Sequence, residues 1–380
     1  MKPTKIYLSQ SHMSGHEQKY IQEIFNPNLV GHKDFNLISF EKCLENYLEN
    51  NSFVGVLNSG TAAIHLGLIL FGVKTGDEVI CQSMTFSASA YPILYLGATP
   101  VFVDSEFDTW NICPIALEKA IVDRIAKGSK PKVIIAVHLY GVPYKIDEVR
   151  TVANRYDIPI LEDSAEALGS SYKGQKCGTF GDIGVLSFNS NKIITTYGGG
   201  ALIAKTKALR DKAVFFATQS RDEAPHYQHS ELGYNYRMSN ICASIGRGQM
   251  EVLDSRVVLR RAMHDFYVHL FKDILGVTVF IAPNEDYFAN YWLSCILVNP
   301  DLTCGIDREA LRLAFEAENI ESRPLWKPMH LQPLFENYPF YGNTVATSLF
   351  ENGLCLPSGS NLIDEDLKRI AAVVKKVFSL

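Results

Sequence analysis

Between residues 52 and 190, hydrophobic residues form short β-branched runs that alternate with longer amphipathic segments. We predict strands over residues 53–57, 78–81, 132–138, 158–161 and 184–188. Residues 61–71 and 115–126 have the spacing of helices, and Pro114 stands at a typical helix start. Runs that are apolar throughout and alternate with helices predict a mostly parallel α/β sheet.

The pattern changes after about residue 240. The elements predicted there are one long or two joined helices over 241–271, extended runs at 277–282 and 292–298, a helix over 308–319 and a closing helix from about Asp364. One face of the closing helix collects Leu367, Ile370, Val374 and Val377. We predict that Asp364 is its N-cap. The change of pattern predicts a large domain over residues 1–255 and a small C-terminal domain over 256–380.

Composition and charge exclude several function classes. The 380 residues are 47% hydrophobic and 20% charged, as in an ordinary soluble protein. A net charge of −5 argues against nucleic-acid binding by a basic surface, and the apolar runs are too short to span a membrane. The eight cysteines include no CxxC pair, and the first residues contain no apolar secretory segment. We therefore expect a cytoplasmic protein with reduced thiols, no metal site and no membrane partner.

Residues that carry chemistry concentrate in the segment 158–200. Asp163 follows one apolar strand, and Lys192 follows another within a largely uncharged stretch. Desolvation there would lower the pKa of the lysine and favour its nucleophilic amine. The glycines at 198–200 permit close backbone approach. Simpler explanations remain open for each feature, namely a solvated lysine, an aspartate that caps a helix and an ordinary turn.

A second segment could bind phosphate. Ser59, Gly60 and Thr61 join a strand to a helix, so free amides at the helix N-terminus could hold a dianion. The GK[ST] ending of a nucleotide-triphosphatase loop is absent. Ligands of parallel sheets collect at the carboxyl ends of the strands. The polar residues at or near such ends are Asp163, His138, Ser59 and Ser187. An amine, a carboxylate and a phosphate cradle are what an aldehyde cofactor with a ring nitrogen and a phosphate requires.

Nine segments, in one order, carry a resemblance to a known family. They are LSQSHMSGHE, LNSGTAAIHL, TFSASAYPILYLGATPVFVD, AVHLYG, LEDSAEALGS, GTFGDIGVLSFNSNK, GYNYRMSN, ESRPLWKPMH and CLPSGS. Together they resemble the DegT/StrS family of pyridoxal-phosphate sugar aminotransferases almost from end to end. The resemblance implies pyridoxal 5′-phosphate as cofactor. It also implies the fold-type-I architecture, with a large α/β domain and a smaller C-terminal α/β domain.

The resemblance also implies roles around the cofactor ring. Lys192 would carry the cofactor covalently and shuttle a proton, and Asp163 would pair with the pyridine nitrogen. Glu166 would lie near the ring hydroxyl, where many relatives have Gln or His, or it would only cap a helix. Phe86 would stack on the ring, although a core phenylalanine explains this residue equally well.

Further residues would bind the phosphate and the substrates. The implied phosphate ligands are Ser59, Gly60, Thr61 and Ser187, joined by Asn235 of a neighbouring subunit. Asn235 would thus make the protein a homodimer with shared active sites. A basic-aromatic cluster suits a sugar nucleotide or a donor carboxylate, and a surface loop with an anchoring tryptophan is the alternative. This cluster consists of Arg323, Trp326, Lys327 and His330. His138 would flank the cofactor or be a satisfied histidine at a strand end.

The expected reaction is a ping-pong transamination from L-glutamate to the 4-keto carbon of a nucleotide-linked 4-keto-6-deoxy sugar. ESRPLWKPMH is most similar to the enzymes that act on UDP-linked acetamido sugars, as in bacillosamine synthesis. The alternatives are a 3-aminotransferase on a dTDP- or UDP-linked keto-sugar and a non-catalytic binding or regulatory protein. Some relatives replace the lysine with histidine and are dehydratases, so Lys192 favours transamination. The segment LVGHKDFNLISFEK departs from the family's usual glycine-centred loop, which leaves the sugar acceptor open.

Overall fold

The computed structural model describes residues 4–26 and 35–379. Its strands are β1 (Phe53–Leu57), β2 (Glu78–Gln82), β3 (Thr99–Val103), β4 (Val133–Val137), β5 (Ile160–Asp163), β6 (Ser171–Tyr172), β7 (Gln175–Lys176), β8 (Ile183–Ser187), β9 (Gly200–Ala204), β10 (Val277–Val279), β11 (Tyr287–Phe288), β12 (Ser294–Val298), β13 (Arg323–Pro324), β14 (Phe340–Tyr341) and β15 (Gly353–Leu356). Its α-helices are α1 (Glu17–Ile24), α2 (Phe35–Leu48), α3 (Gly60–Leu70), α4 (Tyr91–Tyr95), α5 (Pro114–Ala126), α6 (Ile146–Arg155), α7 (Lys207–Ala217), α8 (Asn240–Met250), α9 (Leu253–Phe271), α10 (Arg308–Ala317), α11 (Val345–Asn352) and α12 (Asp364–Phe378).

The large sheet has eight strands in the order β1-β9-β8-β5-β4-β2-β3-β14. Strand β9 is antiparallel to both β1 and β8, and the other neighbouring pairs are parallel. Because β1 and β8 both oppose β9, they run in the same direction as β5. The carboxyl ends of β1, β5 and β8 therefore meet at one edge of the sheet. The prediction of a mostly parallel α/β sheet is confirmed.

All five predicted strands of the first half are present. Strand β1 has the predicted bounds, and the other four differ by one or two residues at an end. Helices α3 and α5 each begin one residue before the predicted start. Strands β3 and β9 were not predicted. The first contains Pro100, and the second begins directly at the glycine run.

The predicted helical stretch 241–271 consists of two helices, α8 and α9, separated by residues 251–252. The predicted cap of the last helix is wrong. Ile363 is the N-cap residue, and Asp364 is the first helical residue. A carboxylate oxygen of Asp366 accepts a hydrogen bond from the backbone amide of Ile363 at 3.2 Å, so the acid that satisfies this helix start comes from the first turn.

The second sheet has four antiparallel strands in the order β10-β12-β15-β13. Its core includes Ile370 and Val374 of α12, and Leu367 and Val377 pack against the same cluster as predicted. The C-terminal region also returns to the large sheet, because β14 pairs with β3 at its edge. The domain boundary near residue 255 stays a prediction, and it falls within the first turn of α9.

Two features bear on the remaining expectations. Residues 29–34 of the segment that departs from the family loop lie outside the described residues, while its remainder begins α2. None of the helices within residues 4–26 and 35–379 is both long and apolar enough to cross a membrane.

Candidate active site

A cavity of about 370 Å³ opens at the carboxyl edge of the large sheet. Its lining includes the start of α3, part of residues 85–89 after β2, the end of β5 with the turn after it, and the loop after β8. The predicted site residues that line it are Ser59, Gly60, Thr61, Phe86, Asp163, Glu166, Ser187, Lys192 and Trp326. These residues are far apart in sequence. The common direction of β1, β5 and β8 brings most of them together, while Phe86 follows β2 and Trp326 follows β13.

Lys192 lies inside this cavity, with 11% of its side chain exposed. Its Nζ is 3.7 Å from a carboxylate oxygen of Glu166 and 4.1 Å from the centre of the Trp292 ring. Burial lowers the pKa of the Lys192 amine, while the carboxylates of Glu166 and Asp163 oppose that shift. The predicted effect of desolvation is therefore confirmed, and the amine is tuned toward its nucleophilic form.

Asp163 is the last residue of β5 and is buried at the cavity wall. One carboxylate oxygen accepts a hydrogen bond from Ser89 Oγ at 2.7 Å, and the other accepts the backbone amide of Ala165 at 3.1 Å. Ser89 in turn lies 2.7 Å from Thr85 Oγ1. No helix follows β5, because residues 164–170 form turns, so Asp163 caps no helix. The carboxylate is instead held at a fixed orientation by a serine that the sequence reasoning missed.

Glu166 is buried on the same wall. Its Oε2 accepts the backbone amide of Tyr140 at 2.6 Å, which leaves Oε1 toward Lys192. Burial raises the pKa of Glu166 to about 7, against the opposing effects of Lys192 and the Tyr140 amide. The alternative that Glu166 only caps an incipient helix is wrong, since the chain turns there. Near neutral pH this carboxyl group can hold or release a proton beside the amine.

The residues predicted to cradle a phosphate lie at the start of α3 and line the cavity. Ser59 is its N-cap, and the Ser59 hydroxyl accepts the backbone amide of Ala62 at 3.0 Å. A Cβ added at Gly60 would lie 3.1 Å from the Ser187 side chain. A Cβ added at Gly200 would lie 2.4 Å from the Gly60 nitrogen, so the glycine at the start of β9 is required for the sheet to approach the cradle. Of the run 198–200, only Gly200 makes this approach, because a Cβ at Gly198 would meet nothing within 4 Å and one at Gly199 would meet Thr196 and Met238.

Phe86 and Trp326 lie between this cavity and a larger one of about 800 Å³. Their rings meet edge to face with centroids 4.6 Å apart, and Phe86 is 54% exposed, which leaves a ring face available to a ligand. Arg323 and Lys327 are exposed and line the larger cavity, as does Trp326. The guanidinium of Arg323 donates to Glu321 at 3.0 Å.

The structure does not bring the two predicted histidines to either cavity. His138 is fully buried, with Nε2 2.7 Å from a carboxylate oxygen of Glu162 and its ring against Tyr144. His330 has Nδ1 2.7 Å from Ser83 Oγ and stacks on Phe340 with ring centroids 3.8 Å apart. Both rings are held by the fold and turned away from the space that a substrate could enter. His138 is thus a buried strand-end histidine bound to Glu162 through Nε2, while its Nδ1 has no hydrogen-bond partner.

Asn235 is exposed and does not line the cavity of its own chain. Its backbone oxygen accepts from Asn58 Nδ2 at 3.3 Å, and its side-chain oxygen accepts from Gln219 at 3.2 Å. The residue therefore lies beside the start of the cradle, on the outer side.

Trp292, which contacts the Lys192 amine, was predicted only as the start of an extended run.

The fold and the cavity together define a fold-type-I, pyridoxal-phosphate-dependent aminotransferase. A buried amine, a fixed carboxylate and a helix N-terminus are the groups that this cofactor requires, and here they line a single cavity. Comparison with known proteins agrees. The chain matches the DegT/DnrJ/EryC1/StrS aminotransferase family over residues 12–375 and belongs to that family.

Individual relatives extend over almost the full chain. EpsN of Bacillus subtilis (strain 168), whose name describes a pyridoxal phosphate-dependent aminotransferase, is 46% identical and covers 98% of this chain and 96% of its own. GDP-perosamine synthase of Escherichia coli O157:H7 is 34% identical over all of both chains. The crystal structure of a DegT DnrJ EryC1 StrS aminotransferase from Brucella abortus superposes with a TM-score of 0.87 at 27% identity, covering 96% of each chain. The protein is therefore a sugar aminotransferase that uses pyridoxal phosphate and acts on nucleotide sugars.

Proposed function

We propose that this enzyme transfers the amino group of L-glutamate to the 4-keto carbon of a UDP-linked 4-keto-6-deoxy acetamido sugar, for glycan or lipopolysaccharide synthesis. The proposal is supported by the likeness of ESRPLWKPMH to that branch of the family. Part of this segment, residues 323–327, lines the larger cavity next to Lys192. A volume of about 800 Å³ is in the range of small-molecule sites.

The observation that carries the reaction type is the shared cavity of Lys192, Asp163 and the start of α3. Pyridoxal phosphate, when bound, supplies an electron sink that stabilises negative charge on the carbon attached to the amino group. Lys192 would attach it and move a proton with its Nζ. Asp163, oriented by Ser89, would hold a proton on the ring nitrogen. Glu166 would lie at the ring hydroxyl, with its free oxygen toward Lys192.

The remaining residues would orient the ligands. Ser59, Gly60, Thr61 and Ser187 would bind the phosphate at the start of α3. Phe86 would stack its exposed ring on the cofactor and separate it from the larger cavity. The charges of Arg323 and Lys327 and the ring of Trp326 would bind the nucleotide sugar or the carboxylate of the donor.

We also propose that the enzyme is a homodimer of cytoplasmic location. Asn235 supports the dimer, because it is exposed and lies beside Asn58 at the edge of the cradle. In a dimer this side chain would be able to reach the phosphate bound by the other subunit. Each active site would then be complete only in the assembled dimer.

The test of the mechanism is the substitution Lys192→Ala. The wild-type protein should show the visible band of bound pyridoxal phosphate, and borohydride should fix the cofactor on the peptide that contains Lys192. The variant should still bind cofactor without the covalent bond, because Asp163 and the cradle remain, and should lose turnover by at least about 10³-fold. Near-normal turnover of the variant would contradict the assignment of Lys192.

The substrate is tested with a set of keto-sugar nucleotides and by locating the new amine in the product. We expect the highest kcat/KM with the UDP-linked 4-keto acetamido sugar. GDP-linked sugars belong in the set because a relative is named GDP-perosamine synthase. Amination at C3 of a dTDP- or UDP-linked sugar, or a clear preference for a GDP-linked sugar, would overturn the choice of acceptor and leave the reaction type unchanged.

A further inference from the structure

The loop that carries Lys192 is held by hydrogen bonds from two distant parts of the chain. The carbonyl of Asn191, the residue before the lysine, accepts from Ser9 Oγ at 2.6 Å and from Trp292 Nε1 at 2.7 Å. The preceding carbonyl, of Ser190, accepts from Ser11 Oγ at 2.6 Å. Two donors converge on the backbone immediately next to the lysine.

Both of these donors are held by one arginine. Arg260 of α9 is 1% exposed, and its guanidinium donates to Ser9 Oγ at 2.9 Å and to the backbone oxygen of Trp292 at 2.5 Å. Within the described part of the chain Arg260 makes no ion pair. Burial and the neighbouring charge of Arg256 lower the pKa of Arg260 to about 9. A buried cation without a carboxylate partner is costly, so its two hydrogen bonds are the main compensation that the fold offers.

Trp292 connects this arginine to the reacting group itself. Its ring centre is 4.1 Å from the Lys192 Nζ, and its Nε1 binds the carbonyl just before that residue. Its backbone amide is also fixed, since it donates to Asn290 Oδ1 at 2.8 Å. A shift of Trp292 would therefore move both the support of the loop and the wall that shields the amine from water.

We propose that Arg260 is a positioning residue for Lys192, acting through Ser9 and Trp292 to fix the loop and to keep water from the amine. The proposal rests on the proposed role of Lys192. The planar fork of an arginine binds two acceptors at a fixed spacing, and an ammonium group lacks this geometry. A lysine at position 260 would retain the charge and lose one of the two contacts.

The test measures Lys192 directly in cofactor-free protein. The protein is labelled with an amine-acylating reagent over a series of pH values, and mass spectrometry of the peptide yields the pH midpoint for Lys192. The groups that face this amine are the carboxylates of Glu166 and Asp163 and the ring of Trp292. In Arg260→Met, water should reach the amine, and the midpoint should rise by roughly one pH unit. In Arg260→Lys, which keeps the charge but loses one contact, the midpoint should still rise by more than half of that amount.

The matched control is Arg261→Met. Arg261 is the next residue of α9 and also anchors the segment before Trp292, because it donates to the backbone oxygen of Ala289 at 2.6 Å. This variant should lower the melting temperature without moving the Lys192 midpoint. If both variants lose stability and neither moves the midpoint, Arg260 is only a structural residue and the proposal fails.

Two milder variants keep the test decisive if Arg260→Met does not fold. Ser9→Ala and Trp292→Phe each remove one donor to the Asn191 carbonyl and retain Arg260. Each should raise the midpoint partway, and the double variant should match the rise expected for Arg260→Met. An unchanged midpoint in all three would overturn the proposal. If wild-type protein forms no borohydride-fixed adduct at Lys192, the proposed function fails, whereas the labelling result remains a separate measurement.

Discussion

Two buried glutamates near the end of β5 have pKa values that are shifted in opposite directions. Glu162 lies within the strand and Glu166 lies in the turn after it, with exposed fractions of 0% and 6%. Burial acts to raise both pKa values. Nevertheless the pKa of Glu162 is below its ordinary value, while that of Glu166 is raised to about 7.

The difference lies in the hydrogen-bond donors around each carboxylate. Glu162 accepts the backbone amides of Gly178 at 2.6 Å and of Phe180 and Gly181 at 2.8 Å, and His138 Nε2 lies 2.7 Å away. Glu166 has one backbone donor, and the Lys192 amine is 3.7 Å from its other oxygen. A fully satisfied carboxylate holds the fold together. A carboxylate whose other oxygen has only a buried amine 3.7 Å away remains able to exchange protons.

The largest effect is expected from Glu162→Gln. The amide nitrogen of glutamine would face backbone donors, so the variant should lose about 3–5 kcal/mol of unfolding free energy. Because the pKa of Glu162 is lowered, its contribution is present above the unfolded pKa and is lost as the pH falls through the folded value. In denaturant unfolding, the difference in unfolding free energy between wild type and Glu162→Gln should therefore be greatest at neutral pH. A loss below about 1 kcal/mol at pH 7 would contradict the structural role.

Sequence reasoning found the parts of this site that follow a local pattern. Each of three strands is followed directly by polar residues of the site. The SGT turn follows β1, Asp163 ends β5, and the loop of Lys192 follows β8. Once the strand direction is known, these segments must meet at one edge of the sheet. The cofactor site is therefore largely predictable from residues 53–61 and 158–200.

The remainder depends on contacts that no local pattern contains. His138 stands at a strand end like Asp163, yet its ring turns to Glu162 because that carboxylate is buried behind the strand. Ser89 and Trp292 touch Asp163 and Lys192 across more than 70 residues of sequence. A buried serine or tryptophan is common in any protein core. Only the packed structure shows which group Ser89 and Trp292 each orient.

The next largest effect, opposite in sign, is expected from Glu166→Gln. Because the pKa of Glu166 is raised, its contribution to stability is fully present below the unfolded pKa and is lost as the pH rises to about 7. In cofactor-free protein at pH 8, the neutral amide should therefore raise the unfolding free energy by up to about 3 kcal/mol. At pH 4, below the unfolded pKa, the variant and wild type should unfold alike.

Glu162→Gln is the control for this sign, since both substitutions replace a buried carboxylate by the same amide. Glu166→Gln also removes the attraction between the carboxylate and the Lys192 ammonium group. This loss reduces the expected rise in unfolding free energy at pH 8. The comparison breaks down if both variants are destabilised to a similar extent across pH 5–8. In that event the two carboxylates would serve the same structural purpose.

The smallest effect is expected from the serines that accompany the carboxylates on this wall. Ser89→Ala removes the 2.7 Å hydrogen bond to Asp163, so the carboxylate loses the donor that orients it in the cavity. The cofactor dissociation constant, measured from the visible band in a titration, should rise about tenfold, or about 1.4 kcal/mol. Ser164→Ala is the matched control, because Ser164 Oγ is 3.4 Å from Glu162 and does not line the cavity. Equal cofactor affinity in the two variants would mean that Asp163 is oriented by the strand alone, and Ser89 would then be a packing residue.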